Sequence, residues 1–277
     1  MSSHDTRRRL IENARYELVP LKSMHSQIPH LPAGCSVSVT CSPTKGIEPT
    51  LELSAELNGA GHHAVPHIAA RLIEGLEHVE KIAARLNEHG ITEIFVVGGD
   101  PDPVGPYADG LSLMRELLPL CHTVRVVGVP AYPDHHSVIA DDVLDEALLA
   151  KQALIAELGL QGFASTQMCF KAKTIEQWLV GQRARGMTLP IHLGVPGAVE
   201  RTKLISLGTR LGIGSSLRYL RKNSGAIMRL FSPASYDPNK LIAPISRRAD
   251  ELDIVALHVF TFNSIESTAA WQRKSLA

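Results

Sequence analysis

The feature that most constrains this chain is a regular alternation of short apolar runs with longer stretches of helical spacing. Strand-like runs fall at "ARYELVP" (14–20), "CSVSVT" (35–40), "HHAVPHI" (62–68), "TEIFVVGG" (92–99), "TVRVVGVP" (123–130), "GFASTQMCF" (162–170), "LPIHLGVPG" (189–197) and "DIVALHVFTF" (253–262). Helix candidates lie at 69–90, 109–120, 141–158, 174–185, 198–211 and 264–274, and 212–252 has room for a further helix and a loop. The first of these places Leu72, Leu76, Val79, Ile82 and Ala83 on one stripe and ends on Gly90 as a cap. Strands that alternate with helices pair in parallel, and eight of them can close on themselves. The expected fold is α/β, a single-domain (βα)8 TIM barrel over residues 1–277, with residues 1–13 a flexible or helical amino-terminal extension.

Charge and cysteine usage narrow the classes of partner. Lys plus Arg number 28 and Asp plus Glu number 28, so no net field draws the chain to nucleic acid or to an anionic membrane. The basic run Arg7–Arg9 reads as a frayed, solvated terminus. No apolar stretch approaches the roughly 18 residues of a membrane span, and none ends in the small-residue cleavage site of a signal peptide. Cys35, Cys41, Cys121 and Cys169 are scattered without a CxxC pair, which fits reduced thiols and a cytoplasmic location. His62, His63, His67, His135 and His136 come without an HExxH pattern or cysteine partners, so no metal is expected. "GGDPDPVG" lacks the GxGxxG spacing of a dinucleotide fingerprint, and no serine sits in a GxSxG elbow.

A barrel of this kind gathers its chemistry at the carboxyl ends of its strands, where the βα loops meet. Polar side chains stand at seven of the eight exits: Glu17, Thr40, His67, Asp100, Tyr132 with His136, Gln167, and Thr261 with Asn263. A lone Thr or Asn there is explained by the start of a loop. Glu17 and Gln167 instead interrupt apolar runs, where an unpaired polar group costs about 1–3 kcal/mol. The stretch "VVGGDPDPVGPYADG" (96–110) ends a strand on a carboxylate and continues into a loop stiffened by Pro101, Pro103 and Pro106.

The segments "YELVP", "VSVTCSP", "VPHIA", "GGDPDP", "AYPDHH", "STQMCF", "PGAVE" and "HVFTFN", in this order and at these spacings, resemble the methylenetetrahydrofolate reductase family of (βα)8-barrel flavoenzymes, over about residues 14 to 270. The resemblance implies reduction of 5,10-methylenetetrahydrofolate to 5-methyltetrahydrofolate, with a hydride from NAD(P)H carried by FAD, in one-carbon metabolism and methionine synthesis. It assigns Glu17 as the general acid that protonates the departing folate nitrogen, and Asp100 as the carboxylate that contacts the pterin and stabilises the developing cation. It makes Gln167 a pterin-binding amide, and Thr40, His67, Asp100, Ala131, Tyr132 and His136 contacts of the flavin. The expected partner is a small-molecule folate, and a homo-oligomer is left open.

Departures from the family pattern bear on the cofactor. An arginine usual two residues before the strand-four aspartate is Gly98 here, and the basic stretch before strand six reads Leu154–Leu160, "LIAELGL". Those cations hold the FAD diphosphate in the family, so weak flavin retention is expected. An aromatic residue that commonly follows the glutamine is Met168. The stretch "LGIGSSLRYLRKN" (211–223) reads as a helix terminus with a solvated basic face, or as a contact for the folate tail or a phosphate through Arg218, Arg221 or Lys222. Two alternatives remain: direct hydride transfer from NADH to the folate without flavin, and a folate-binding barrel without turnover of its own.

Overall fold

The computed structural model describes residues 2–21, 24–42, 44–200, 203–204 and 236–277. Its strands are β1 (Arg15–Leu18), β2 (Ser36–Val39), β3 (His63–Ala69), β4 (Glu93–Val97), β5 (Val126–Ala131), β6 (Gln161–Thr166), β7 (Ile191–Pro196) and β8 (Ile254–Phe260). They pair in chain order, each parallel to the next, and β8 returns to β1, so the protein is the closed (βα)8 barrel that the alternation predicts. The strands are shorter than the apolar runs. The run at 162–170 leaves the sheet after Thr166 and that at 92–99 after Val97, where Gly98 and Gly99 begin a turn.

The helices are α1 (Ser3–Glu12), α2 (Glu48–Gly59), α3 (Leu76–Glu88), α4 (Gly110–Leu117), α5 (Asp141–Glu157), α6 (Ala172–Ala184), α7 (Asn239–Ile245) and α8 (Ile265–Leu276). Helix α3 begins at Leu76 rather than at 69, because β3 runs on to Ala69 and a 3-10 turn follows at Ala70–Leu72. Leu76 is consequently exposed, and the face that packs is Val79, Ile82, Ala83 and Leu86. Gly90 ends the helix at φ 61°, a left-handed conformation that glycine adopts without strain. Of the helix placed at 198–211, Lys203 and Leu204 are helical, while the basic stretch at 211–223 lies outside the described residues.

The amino-terminal residues form a capped helix, with a reciprocal box between Ser2 and Asp5. Its basic run is tied to the barrel rather than frayed: Arg7 donates to Asn239 at 2.9 Å and Arg9 to Asp250 at 2.7 Å, while Leu10 and Ile11 are buried.

Period-two alternation splits the strands between two cores. Tyr16, Leu18, Val37, Val39, Ile94, Val96, Val127 and Val129 point outward and are buried in the layer that holds the helices. Each such aliphatic side chain contributes about 1.5–3 kcal/mol. The intervening residues fill the lumen, where Val65, Phe95 and Phe163 form a separate apolar cluster. Gly128 on β5 makes room for it, since a Cβ there would collide with both phenyl rings.

Candidate active site at the carboxyl end of the barrel

The lumen is unusually polar above and below its aromatic layer. At the amino end Arg15 of β1 forms an ion pair with Glu93 of β4 at 2.6 Å, and its Nε donates to Ser36 Oγ at 2.8 Å. His63 Nε2 meets the other Glu93 oxygen at 2.8 Å. Burial pulls the Arg15 pKa down, and the Glu93 pKa is held low against its own burial by His63 and Arg15. Above this pair lie Phe95 and Phe163, with the His192 ring stacked on Phe163 at 4.0 Å between centroids.

At the carboxyl end the sequence-predicted Glu17 is 12% exposed, and its Oε2 lies 2.8 Å from His258 Nε2. His258 is 2% exposed, and its Nδ1 is buried without a hydrogen-bond partner. His67, expected as a flavin contact, sits in the same cluster: its Nε2 lies 2.6 Å from Ser38 Oγ and its ring packs on Phe95 at 4.6 Å. Burial, then His258 and Arg15, push the His67 pKa well below the usual histidine value, so this ring is neutral near pH 7. Sequence reasoning missed His258, Arg15, Glu93 and His192. The available signal was period two, since each stands on the lumen-facing register of its strand.

The second group of predicted residues surrounds the exit of β5. Ala131 is buried, and Tyr132 meets His136 edge-on at 5.1 Å. The Tyr132 pKa is raised to about 12, first by burial and then by the nearby Asp100 carboxylate. Asp100 itself is exposed. Gln167 is half-buried just beyond β6, where its backbone N–H donates to Ala131 at 2.7 Å and its Oε1 accepts from Met168 N at 2.7 Å. Thr40 follows β2, with its N–H on Leu18 and its carbonyl on the Thr50 hydroxyl, so backbone bonds place it beside the exit of β1.

The proline-rich loop is pinned to the β3–α3 connection. Arg71 N donates to Gly98 O at 2.9 Å, Val104 N to Arg71 O at 3.0 Å, and the Arg71 Nε to Ala108 O at 2.8 Å. Gly105 is required there, because any side chain would strike the carbonyls of Ile73 and Glu74. By contrast Thr261 and Asn263 serve the seam between β8 and β1: Thr261 Oγ1 donates to Glu17 O at 2.5 Å, and Asn263 exchanges two 2.9 Å bonds with the Val19 backbone.

Residues that could hold a flavin fit at one end of it. Ala131 and the Tyr132 ring, with His136 edge-on to it, offer an apolar wall, and a groove of about 230 Å³ continues behind Tyr132 between α5 and α6, walled by Trp178. The diphosphate end is poorly matched. Among the described residues, Arg185 in that groove is paired with Asp145, Lys151 is buried with Asp109 as its neighbouring charge, and no side chain comes near the position of a Cβ on Gly98. For a metal, the donor atoms of Glu17, His67 and His258 lie within 4.8 Å of one another. Both imidazole Nε2 atoms, however, are already engaged, by Ser38 and by Glu17. No helix among the described residues is long and apolar enough to cross a membrane.

The fold defines a (βα)8 barrel whose lumen carries titratable groups at both ends, with Glu17, His67 and His258 clustered toward the strand exits. No family model matches the chain. A stretch of 159 residues, 55% of this chain and 25% of the relative, is 24% identical to methylenetetrahydrofolate reductase 1 of Schizosaccharomyces pombe. The match thus spans about a quarter of that curated relative's length. A solved structure from Clostridium thermocellum, an uncharacterized protein that binds two copies of 5-methyl-5,6,7,8-tetrahydrofolic acid, superposes with a TM-score of 0.67 over 94% of both chains at 13% identity. The second likeness is one of fold. The chain is similar to the methylenetetrahydrofolate reductase family in its strand-exit motifs and, more distantly, in this aligned stretch.

Proposed function

We propose that the protein reduces 5,10-methylenetetrahydrofolate to 5-methyltetrahydrofolate at the carboxyl end of the barrel, with NAD(P)H as the source of hydride. The observation that carries the reading is a carboxyl group, Glu17, set 12% exposed at the mouth of a closed barrel against a buried imidazole. Opening the methylene bridge needs a proton on the departing nitrogen, which leaves an iminium cation that takes up hydride. Glu17 delivers that proton. Asp100, exposed beyond β4 on a loop that Arg71 holds in place, supplies negative charge to the pterin and to the cation. Gln167, fixed through its backbone to Ala131, offers its amide to the pterin edge.

FAD, when bound, would carry the hydride from the nicotinamide to the folate, with its ring against Ala131, Tyr132 and His136. The missing counter-charge at Gly98 and along α5 favours weak retention, and it keeps direct transfer from NADH as the second reading. The test is to incubate the protein with methylenetetrahydrofolate and NADH, with and without added FAD, and to quantify methyltetrahydrofolate by mass spectrometry. Turnover in either condition supports the folate reading. Folate binding with no product from NADH or NADPH would leave a carrier.

A further inference from the structure

We propose that His258 is the positioning residue of this site: its Nε2–H holds Glu17 Oε2, so that the transferable proton rests on Oε1, facing the mouth. The inference rests on the reading of Glu17 as the acid. Its basis is the register of the seam, where Arg15 lies opposite His258 and Glu17 opposite Phe260, so His258 stands one inward position below Glu17 and reaches up to it. Oε2 is taken by His258 at 2.8 Å, and the other bond at Glu17 goes to its backbone carbonyl, from Thr261.

The unpartnered Nδ1 fixes the tautomer. With the proton on Nδ1, the ring would bury an orphan N–H, which native structures avoid more strictly than a bare acceptor. With the proton on Nε2, the ring donates to Glu17 and leaves only a lone pair uncovered. Apart from Glu17, the titratable groups around the ring come from four strands. Arg15 lies on β1, His67 on β3 with ring centroids 6.1 Å away, and His192 on β7, while Glu93 on β4 is already committed to Arg15 and His63. Phe95 and Phe260 close the remaining sides, at 6.1 and 5.1 Å.

The proton balance is simple. The Oε1–H bond breaks, the proton moves to the folate nitrogen, and the carboxylate left behind accepts a charge-assisted bond from His258. That bond strengthens as the charge develops, so it favours the transition state over the bound ground state.

Two variants and one spectrum test this. His258→Gln places an amide N–H close to the former Nε2 and should keep turnover within about fivefold. His258→Leu removes the donor and should lower kcat by about ten- to a hundredfold, with the folate KM within about threefold. In the unsubstituted protein, nitrogen-15 spectra of labelled histidine should show His258 as the Nε2–H tautomer. Equal loss in both variants, a folate KM in His258→Leu that rises as much as kcat falls, or an Nδ1–H or doubly protonated ring would overturn the proposal. If His258→Leu does not fold, the spectrum decides. A Glu17→Gln variant that keeps its turnover would instead sink the functional reading itself.

Discussion

Arg15 and Glu93 face each other across the lumen at 2.6 Å, a buried ion pair between the first and fourth strands, with side chains 6% and 9% exposed. Neither charge has water to fall back on, so each depends on the other. Glu93→Gln should destabilise the fold by about 3–5 kcal/mol, because it leaves a buried guanidinium uncompensated. The double variant Arg15→Met, Glu93→Gln should recover most of that loss. Urea unfolding of Glu93→Gln, Arg15→Met and the double variant checks this, and a double variant as unstable as the sum of the two single ones would contradict it.

The same interior makes the fold sensitive to acid. Burial pushes the pKa values of His67 and His192 well below the ordinary 6.5. The stability tied to keeping these rings neutral is full above about pH 6.5 and is lost as the pH falls below it, since the unfolded chain takes up protons first. Glu93, whose pKa is lowered, acts in the same direction: its contribution is present above its unfolded value and falls away in stronger acid. The melting temperature should therefore fall between about pH 7 and pH 5, and less steeply in His192→Phe. A flat profile over that range would show that these rings protonate in place without cost.

Asp100 and Tyr132 are coupled across the exits of β4 and β5. Ultraviolet titration should find a tyrosine ionising near the value of about 12, and Asp100→Asn should lower it, because a repelling negative charge has been removed. The same variant should weaken folate binding and slow reduction together. An unmoved tyrosine with unchanged folate kinetics would take Asp100 out of the site.

The two hydride routes differ in kinetic pattern. With FAD as a shuttle, NADH and folate react in turn and double-reciprocal plots are parallel. With direct transfer both are bound at once and the lines intersect. The sparse counter-charge beside Gly98 and α5 leads us to expect parallel lines that require added FAD, with activity lost on dilution and restored by the flavin. Intersecting lines with no response to FAD would assign the direct route.

The eight strands were legible because each is a short, largely apolar run that alternates with a longer stretch of helical spacing, and in a parallel barrel both faces of a strand are covered. Helix α2 was not, because its buried face includes Thr50 and Ser54, whose hydroxyls bond to the carbonyls of Thr40 and Thr50 and so hide the apolar stripe. Glu17 stood out as a carboxylate inside an apolar run. Its partner His258 did not, because only closure of the barrel brings residues 241 positions apart into contact. Arg15 and Glu93 read as charges at strand starts, and only the period-two register of each strand says that both turn inward.

The central claim is that Glu17 is the acid, and Glu17→Gln tests it most directly. The amide keeps the shape and can still meet His258, but it has no proton to give. The measurement is the rate of methyltetrahydrofolate formation under saturating folate and NADH with FAD added, alongside a melting curve that checks the fold. We expect a loss on the order of a hundredfold or more with the melting transition retained. A folded variant that keeps more than about a third of the wild-type rate, far above the loss expected on removing a general acid, would contradict the account.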